Sequence, residues 1–140
     1  MIDYTTASAP ELGRALREFG INLLVRAIPR TEAFLVEVLD FQPLRNENGF
    51  ALLRRGATLV QLHEDATYHA HPLPSLLPES GVRGGGVELR LFACDPDAAE
   101  AKARARGDMV LRESLDRPHG LRECFLLDPD GYCWVPSRPI

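Results

Sequence analysis

Apolar positions along this chain recur with two different periods, and the switches between them mark its elements. In "SAPELGRALREFG", Leu12, Leu16 and Phe19 fall at helical spacing, three or four residues apart on one face. Ser8 and Glu11 ahead of them form a capping-box pattern, in which hydroxyl and carboxylate each satisfy an orphan amide. Gly20 supplies the stop. These signs predict a short amphipathic leading helix. "INLLVRAI" is β-branched and Leu-rich and predicts a strand. Pro29 and "RTEAFLVEVLDF" then return to the helical period through Phe34, Leu35, Val38 and Leu39. "FQPLRNENG" predicts a short edge strand, because Pro43 cannot donate to a ladder and residues 46–49 turn the chain. "FALLRRG" and "ATLVQLHE" read as two strands joined at Gly56. The first half is β-α-β-β-β.

Residues 65–86 interrupt the pattern with Pro72, Pro74, Pro78 and the run Gly84-Gly85-Gly86. A connector this long inside a small domain is a lid or a link between modules. The order then repeats. "VELRLFAC" predicts a strand. "DPDAAEAKARARG" predicts a helix with Asp95 as N-cap, Pro96 in its first turn and Gly107 past its end. "MVLRES" reads as a strand, "LDRPHG" as a loop, and "RECFLL" and "YCWVPS" as strands around the turn "DPDG". Two tandem modules predict an α+β fold made by internal duplication. The boundaries are a helical extension over 1–19, then one domain over 20–138. Module one spans about 20–64, and module two about 87–138.

Composition narrows the function classes. At 140 residues the chain is long enough for one domain with a core. A formal net charge of -4 offers no electrostatic footprint for nucleic acid. No apolar run approaches the roughly 20 residues that span a bilayer, and the start lacks the basic-then-apolar pattern of a signal peptide. Cys94, Cys124 and Cys133 are odd in number and show no CxxC spacing. They read as reduced thiols in a cytoplasmic protein.

The strand faces locate the candidate chemistry. Side chains alternate across a strand, so Val60 and Leu62 oppose Leu59, Gln61 and His63. In the same way Ile21, Leu23 and Val25 oppose Asn22, Leu24 and Arg26, and Val87, Leu89 and Leu91 oppose Glu88, Arg90 and Phe92. The uniformly apolar faces should meet helices, leaving the mixed faces to line a concave cavity. Asn22, Gln61, His63, Glu88 and Arg90 become its polar groups, and Leu24, Leu59, Phe92, Cys133 and Val135 its apolar wall. An apolar cavity with a few polar groups is the anatomy of a small-molecule site. Blander roles stand beside these. Glu88 and Arg90 also suit a structural ion pair or a dimer interface, and Asn22 and Gln61 suit the satisfaction of nearby backbone groups. Cys124 and Cys133 suit small buried hydrophobes.

Three histidines crowd into "HEDATYHAHPLP", but His69 and His71 lie in the connector and no HExxH helix fixes two rings on one face. A solvated or packing role fits them better than a closed metal site. "RGGGVEL" leads into a strand and is no phosphate cradle. There is no GxSxG elbow. His119, in "RPHG", has no matched carboxylate in view and reads as a surface residue.

The repeated β-α-β-β-β order, "FLVEVLDF" in the first helix, "DPDAAEAKARARG" in the second and the closing hairpin "FLLDPDGYCWVPS" resemble the vicinal oxygen chelate superfamily. That group contains glyoxalase I, bleomycin-resistance proteins and extradiol dioxygenases. The resemblance covers about residues 20–138. It implies two four-stranded sheets around a concave cavity, a homodimer, and metal ligands on the first and last strands of each module. Those positions fall here on Gly20 (Asn22 with a shifted register), Gln61 with His63 beside it, Glu88 and Val135. Gly20 and Val135 have no donor atom. The resemblance therefore implies a small-molecule-binding protein without a complete metal site, Gln61, Glu88 and His63 being the weak candidates for a divalent ion. The alternative it leaves open is a metal-dependent lyase, isomerase or dioxygenase of the glyoxalase I or extradiol dioxygenase type.

Overall fold

A computed structural model of the chain describes every residue except Tyr68, in the connector. The leading helix α1 (Ala9–Ala15) starts where the capping box puts it. Ser8 accepts from the Glu11 amide while Glu11 accepts from the Ser8 backbone at 2.8 Å. It ends a turn earlier than expected. Leu16 is already extended, Phe19 lies outside the helix and 86% exposed, and only Leu12 of the apolar stripe is buried. Arg17 explains the early end: its guanidinium donates to the Arg14 and Leu16 carbonyls and satisfies them where the helix stops.

Two mixed four-stranded sheets follow. The first takes β1 (Ile21–Val25), β2 (Gln42–Glu47), β3 (Phe50–Arg55) and β4 (Thr58–Glu64) in the order β1-β4-β3-β2. β1 and β4 are parallel and central contacts run Leu23 to Leu62, while β2 is the edge, as Pro43 requires. Helix α2 (Ile28–Leu39) begins at Ile28, the last residue of the segment "INLLVRAI" that the sequence pattern predicts as a strand. The Glu64 carboxylate reaches from β4 to accept from the Ile28 amide at 2.9 Å, supplying the missing cap.

The second sheet takes β5 (Glu88–Leu91), β6 (Met109–Asp116), β7 (Leu121–Leu127) and β8 (Cys133–Pro139) in the order β5-β8-β7-β6. Between β5 and β6 lies α3 (Pro96–Arg106), capped by Asp95 and closed by Gly107 at φ 81°. Strand β5 is shorter than "VELRLFAC" implied. Val87 precedes it and is exposed, and Ala93 takes a positive φ of 54° just beyond it. Strand β6 is longer and runs through Leu115 and Asp116, which the sequence placed in a loop; two register irregularities let it bend that far.

By their contacts the residues form two compact units, Met1–Ile28 with Phe41–His71 and Pro29–Asp40 with Pro72–Ile140. Each has an apolar interior. Ala51, Leu53, Val60 and Leu62 are fully enclosed in the first, and Phe34, Leu35, Leu126 and Trp134 in the second. In the second, the connector packs on the "DPDG" turn. The Arg83 amide donates to the Asp130 carbonyl at 2.9 Å, and any side chain at Gly84 would sit 2.8 Å from the Tyr132 backbone. That contact, and not phosphate binding, accounts for the first glycine of the run.

Candidate functional site

The first sheet presents its mixed face as two cross-strand rows. One runs Glu47, Phe50, His63, Leu24; the other runs Arg45, Leu52, Gln61, Asn22. Directly opposed residues share a face, so Asn22, Gln61 and His63 are brought together as expected. Asn22 Oδ1 lies 2.7 Å from His63 Nδ1 and accepts its proton, which fixes the tautomer with the lone pair on Nε2. Burial, with a smaller contribution from His71, pushes the His63 pKa below its ordinary value, so the ring is neutral at pH 7. The Phe50 ring stands 4.8 Å from it, tilted by 53°. Leu24 of the anticipated wall is buried and Leu59 half-buried.

The second sheet groups Glu88, Arg90, Phe92 and Cys133. Glu88 lies opposite Cys133, and Arg90 opposite Val135. Phe92 is past the end of β5 and 62% exposed, so strand alternation does not place it; the Arg90 guanidinium does, at 5.7 Å from the ring centroid. The group's centre is a residue the sequence reading missed. Glu123 is buried on β7, and its carboxylate accepts from Arg90 at 2.5 Å. Glu88 is the weaker partner, 3.5 Å from Arg90 and half exposed. Arg117 stands 3.8 Å from Glu123, too far to hydrogen-bond. His119 is exposed, as expected of a surface ring, but it does have a matched carboxylate, with Nε2 3.3 Å from Glu123 Oε2.

Burial raises the Glu123 pKa, but hydrogen bonding and charge from Arg90 and then His119 outweigh it, so the carboxyl titrates below its usual range. The same bond holds the Arg90 pKa above its ordinary value. A detectable signal existed: Glu123 interrupts an otherwise apolar parity with Phe125 and Leu127. β7 is neither the first nor the last strand of its module, so the resemblance assigns it no ligand. The surroundings of Cys124 and Cys133 do not favour a thiolate. Burial pushes the Cys124 thiol up to about 12, and burial with Glu88 raises Cys133.

Comparison with known proteins agrees with this architecture. A family model described as "Glyoxalase/Bleomycin resistance protein/Dioxygenase superfamily" matches residues 19–135. The chain belongs to that superfamily. Among solved structures, one similar protein is a glyoxalase/bleomycin resistance protein/dioxygenase family enzyme from Burkholderia phytofirmans PsJN. It has TM-score 0.72 and 19% identity over 86% of this chain and 96% of that one. TioX from Micromonospora sp. ML1 aligns with TM-score 0.65 and 20% identity over 89% and 99%. A virulence protein from Salmonella typhimurium aligns with TM-score 0.64 and 21% identity over 89% and 97%. At such identities the likeness shows the fold. No curated protein matches the chain.

The positions at which the resemblance places metal ligands carry a poor donor set. Gly20 has no side chain, and Val135 is fully buried and apolar. Gln61 offers an amide and Glu88 a carboxylate. A catalytic divalent ion is ordinarily held by about three protein donors with a position left open, and these residues do not fit that pattern.

Proposed function

We propose that this superfamily member binds a small organic molecule on the mixed faces of its sheets, without a complete metal centre. One observation carries the reading. The polar groups on those faces are already ordered against each other, His63 by Asn22 and Arg90 by Glu123, amid apolar and aromatic neighbours. Pre-set hydrogen-bonding groups on an apolar wall are what a recognition site requires. Glu88, half exposed and weakly paired, is the group on the second sheet best able to meet a ligand. We further propose a homodimer in a reducing, cytoplasmic setting; the three cysteines are free thiols. Among the described residues no helix is long and apolar enough to cross a membrane, and the net charge of -4 does not favour nucleic acid.

Metal analysis of protein purified without chelator tests this directly. The expected result is no stoichiometric metal in either the native chain or Glu88→Gln. Stoichiometric zinc, iron or manganese that Glu88→Gln removes would replace this reading with a metal-dependent lyase, isomerase or dioxygenase.

A further inference from the structure

The leading helix lies outside the family match, which begins at residue 19. It nonetheless roofs the face of the first sheet that carries Gln61 and His63. Beneath it is a cavity of about 360 Å³, with Leu12, Gly13 and Leu16 on the helix side and Phe50, Gln61 and His63 on the sheet side. A second cavity of about 570 Å³ opens on the other side of Leu16, and Gln61 lines both. Volumes of this size suit small organic ligands.

We propose that the pocket under α1 binds a small, uncharged, flat organic molecule bearing an amide, hydroxyl or carbonyl group. This rests on the small-molecule reading above and deepens it by naming the place and the chemistry. Gln61 is the polar contact, since its amide both donates and accepts. Leu12, Leu16 and Phe50 form the walls, and the Phe50 and His63 rings, tilted by 53° to each other, each offer an aromatic face to a flat ligand. The charge argument selects an uncharged ligand. Arg45, the one cation lining this pocket, is paired with Glu47 and donates to the Ala7 carbonyl at 2.7 Å. His63 is neutral at pH 7, so the lining is balanced and an ionised ligand would bring an uncompensated charge into it.

Gly13 fits the same picture. Glycine is a poor residue inside a helix, and here no positive φ calls for it. A β-carbon built there meets nothing within 4 Å, so its absence leaves room at the cavity.

The test uses the full chain, ¹⁵N-labelled, titrated separately with benzamide, benzoate and benzylammonium. Benzamide should shift the backbone amides of Leu12, Gly13, Leu16, Phe50 and Gln61 saturably, and the two ions should bind at least tenfold more weakly. Gly13→Leu, which fills the space, should abolish those shifts. Gln61→Leu should weaken benzamide about fivefold while leaving the rest of the spectrum in place, and it serves where Gly13→Leu does not fold. Equal binding of the three probes, or shifts insensitive to both substitutions, would overturn the pocket. Shifts confined to Glu88, Arg90, Phe92 and Cys133 would overturn it too while leaving the small-molecule reading intact. No saturable shift from any probe would count against both.

Discussion

Asp128 uses both carboxylate oxygens to hold the last turn. One accepts from the Asp130 and Tyr132 amides at 2.9 and 3.1 Å, the other from the Trp134 indole at 3.0 Å. Burial dominates nonetheless and raises its pKa from 3.8 to about 6. Between those values the native state holds a proton that the unfolded chain has released, so this group's contribution to stability falls as pH rises from about 4 to 6. The full shift corresponds to about 3 kcal/mol. Asp128→Asn removes the titration. The difference in unfolding free energy between variant and native chain should therefore move by about that amount, in the variant's favour, from pH 4 to pH 7. Urea unfolding at the two pH values measures it, and a difference that stays constant contradicts the assignment. Glu123 gives a contrast in magnitude. Glu123→Gln leaves Arg90 without its buried counter-charge and should cost about 1–3 kcal/mol, whereas Glu88→Gln, half exposed, should cost under about 1 kcal/mol. Equal losses in chemical denaturation would mean the ion pair has been assigned to the wrong carboxylate. The sequence showed Glu88 and Arg90 by simple alternation, but the pairing with Glu123 joins residues 33 apart and depends on register across β8. Single-strand periodicity carries no such information.

Elements were read well where local chemistry decides them and less well where a distant partner does. The α3 boundaries follow from Asp95, Pro96 and Gly107, all local signals. The start of α2 depends on Glu64, 36 residues away, and no spacing rule reveals it. The same limit applies to β5, which ends near Leu91 as Ser137 of the neighbouring strand bonds the Leu91 carbonyl and the Cys94 amide. Alternation carried past that point mistook Phe92 for a strand residue. Helix α1 is the element most exposed to a single change. It has seven residues and one buried side chain, and helices so short are not stable by propensity alone. Ser8→Ala removes one half of the capping box and should cost about 1 kcal/mol. The loss should fall on α1 and not on the sheets: hydrogen exchange should accelerate at Leu12 to Leu16 while the β3 and β4 amides keep their protection. Uniform acceleration would show that α1 and the sheet open as one.

At the scale of the whole molecule, the surface that favours a dimer is not the leading helix. Leu12, the apolar residue of α1 most in need of cover, is buried within its own chain. The need shifts to β6. Met109 and Leu111 are 59% and 60% exposed, Leu115 further along the same strand is also exposed, and β6 is an edge strand with one side of its backbone unpaired by the sheet. Edge strands with apolar side chains invite pairing unless something covers them. Pairing of β6 with β6 of a second copy would be isologous and self-limiting, the arrangement two-fold symmetry favours. Light scattering at micromolar concentration should therefore give about twice the chain mass of 15.5 kDa. Leu111→Glu places like charges face to face near the axis of such a dimer and should return the mass to about 15.5 kDa with the fold retained. A native chain already at that mass removes the dimer, and a Leu111→Glu variant that remains double places the interface on another surface.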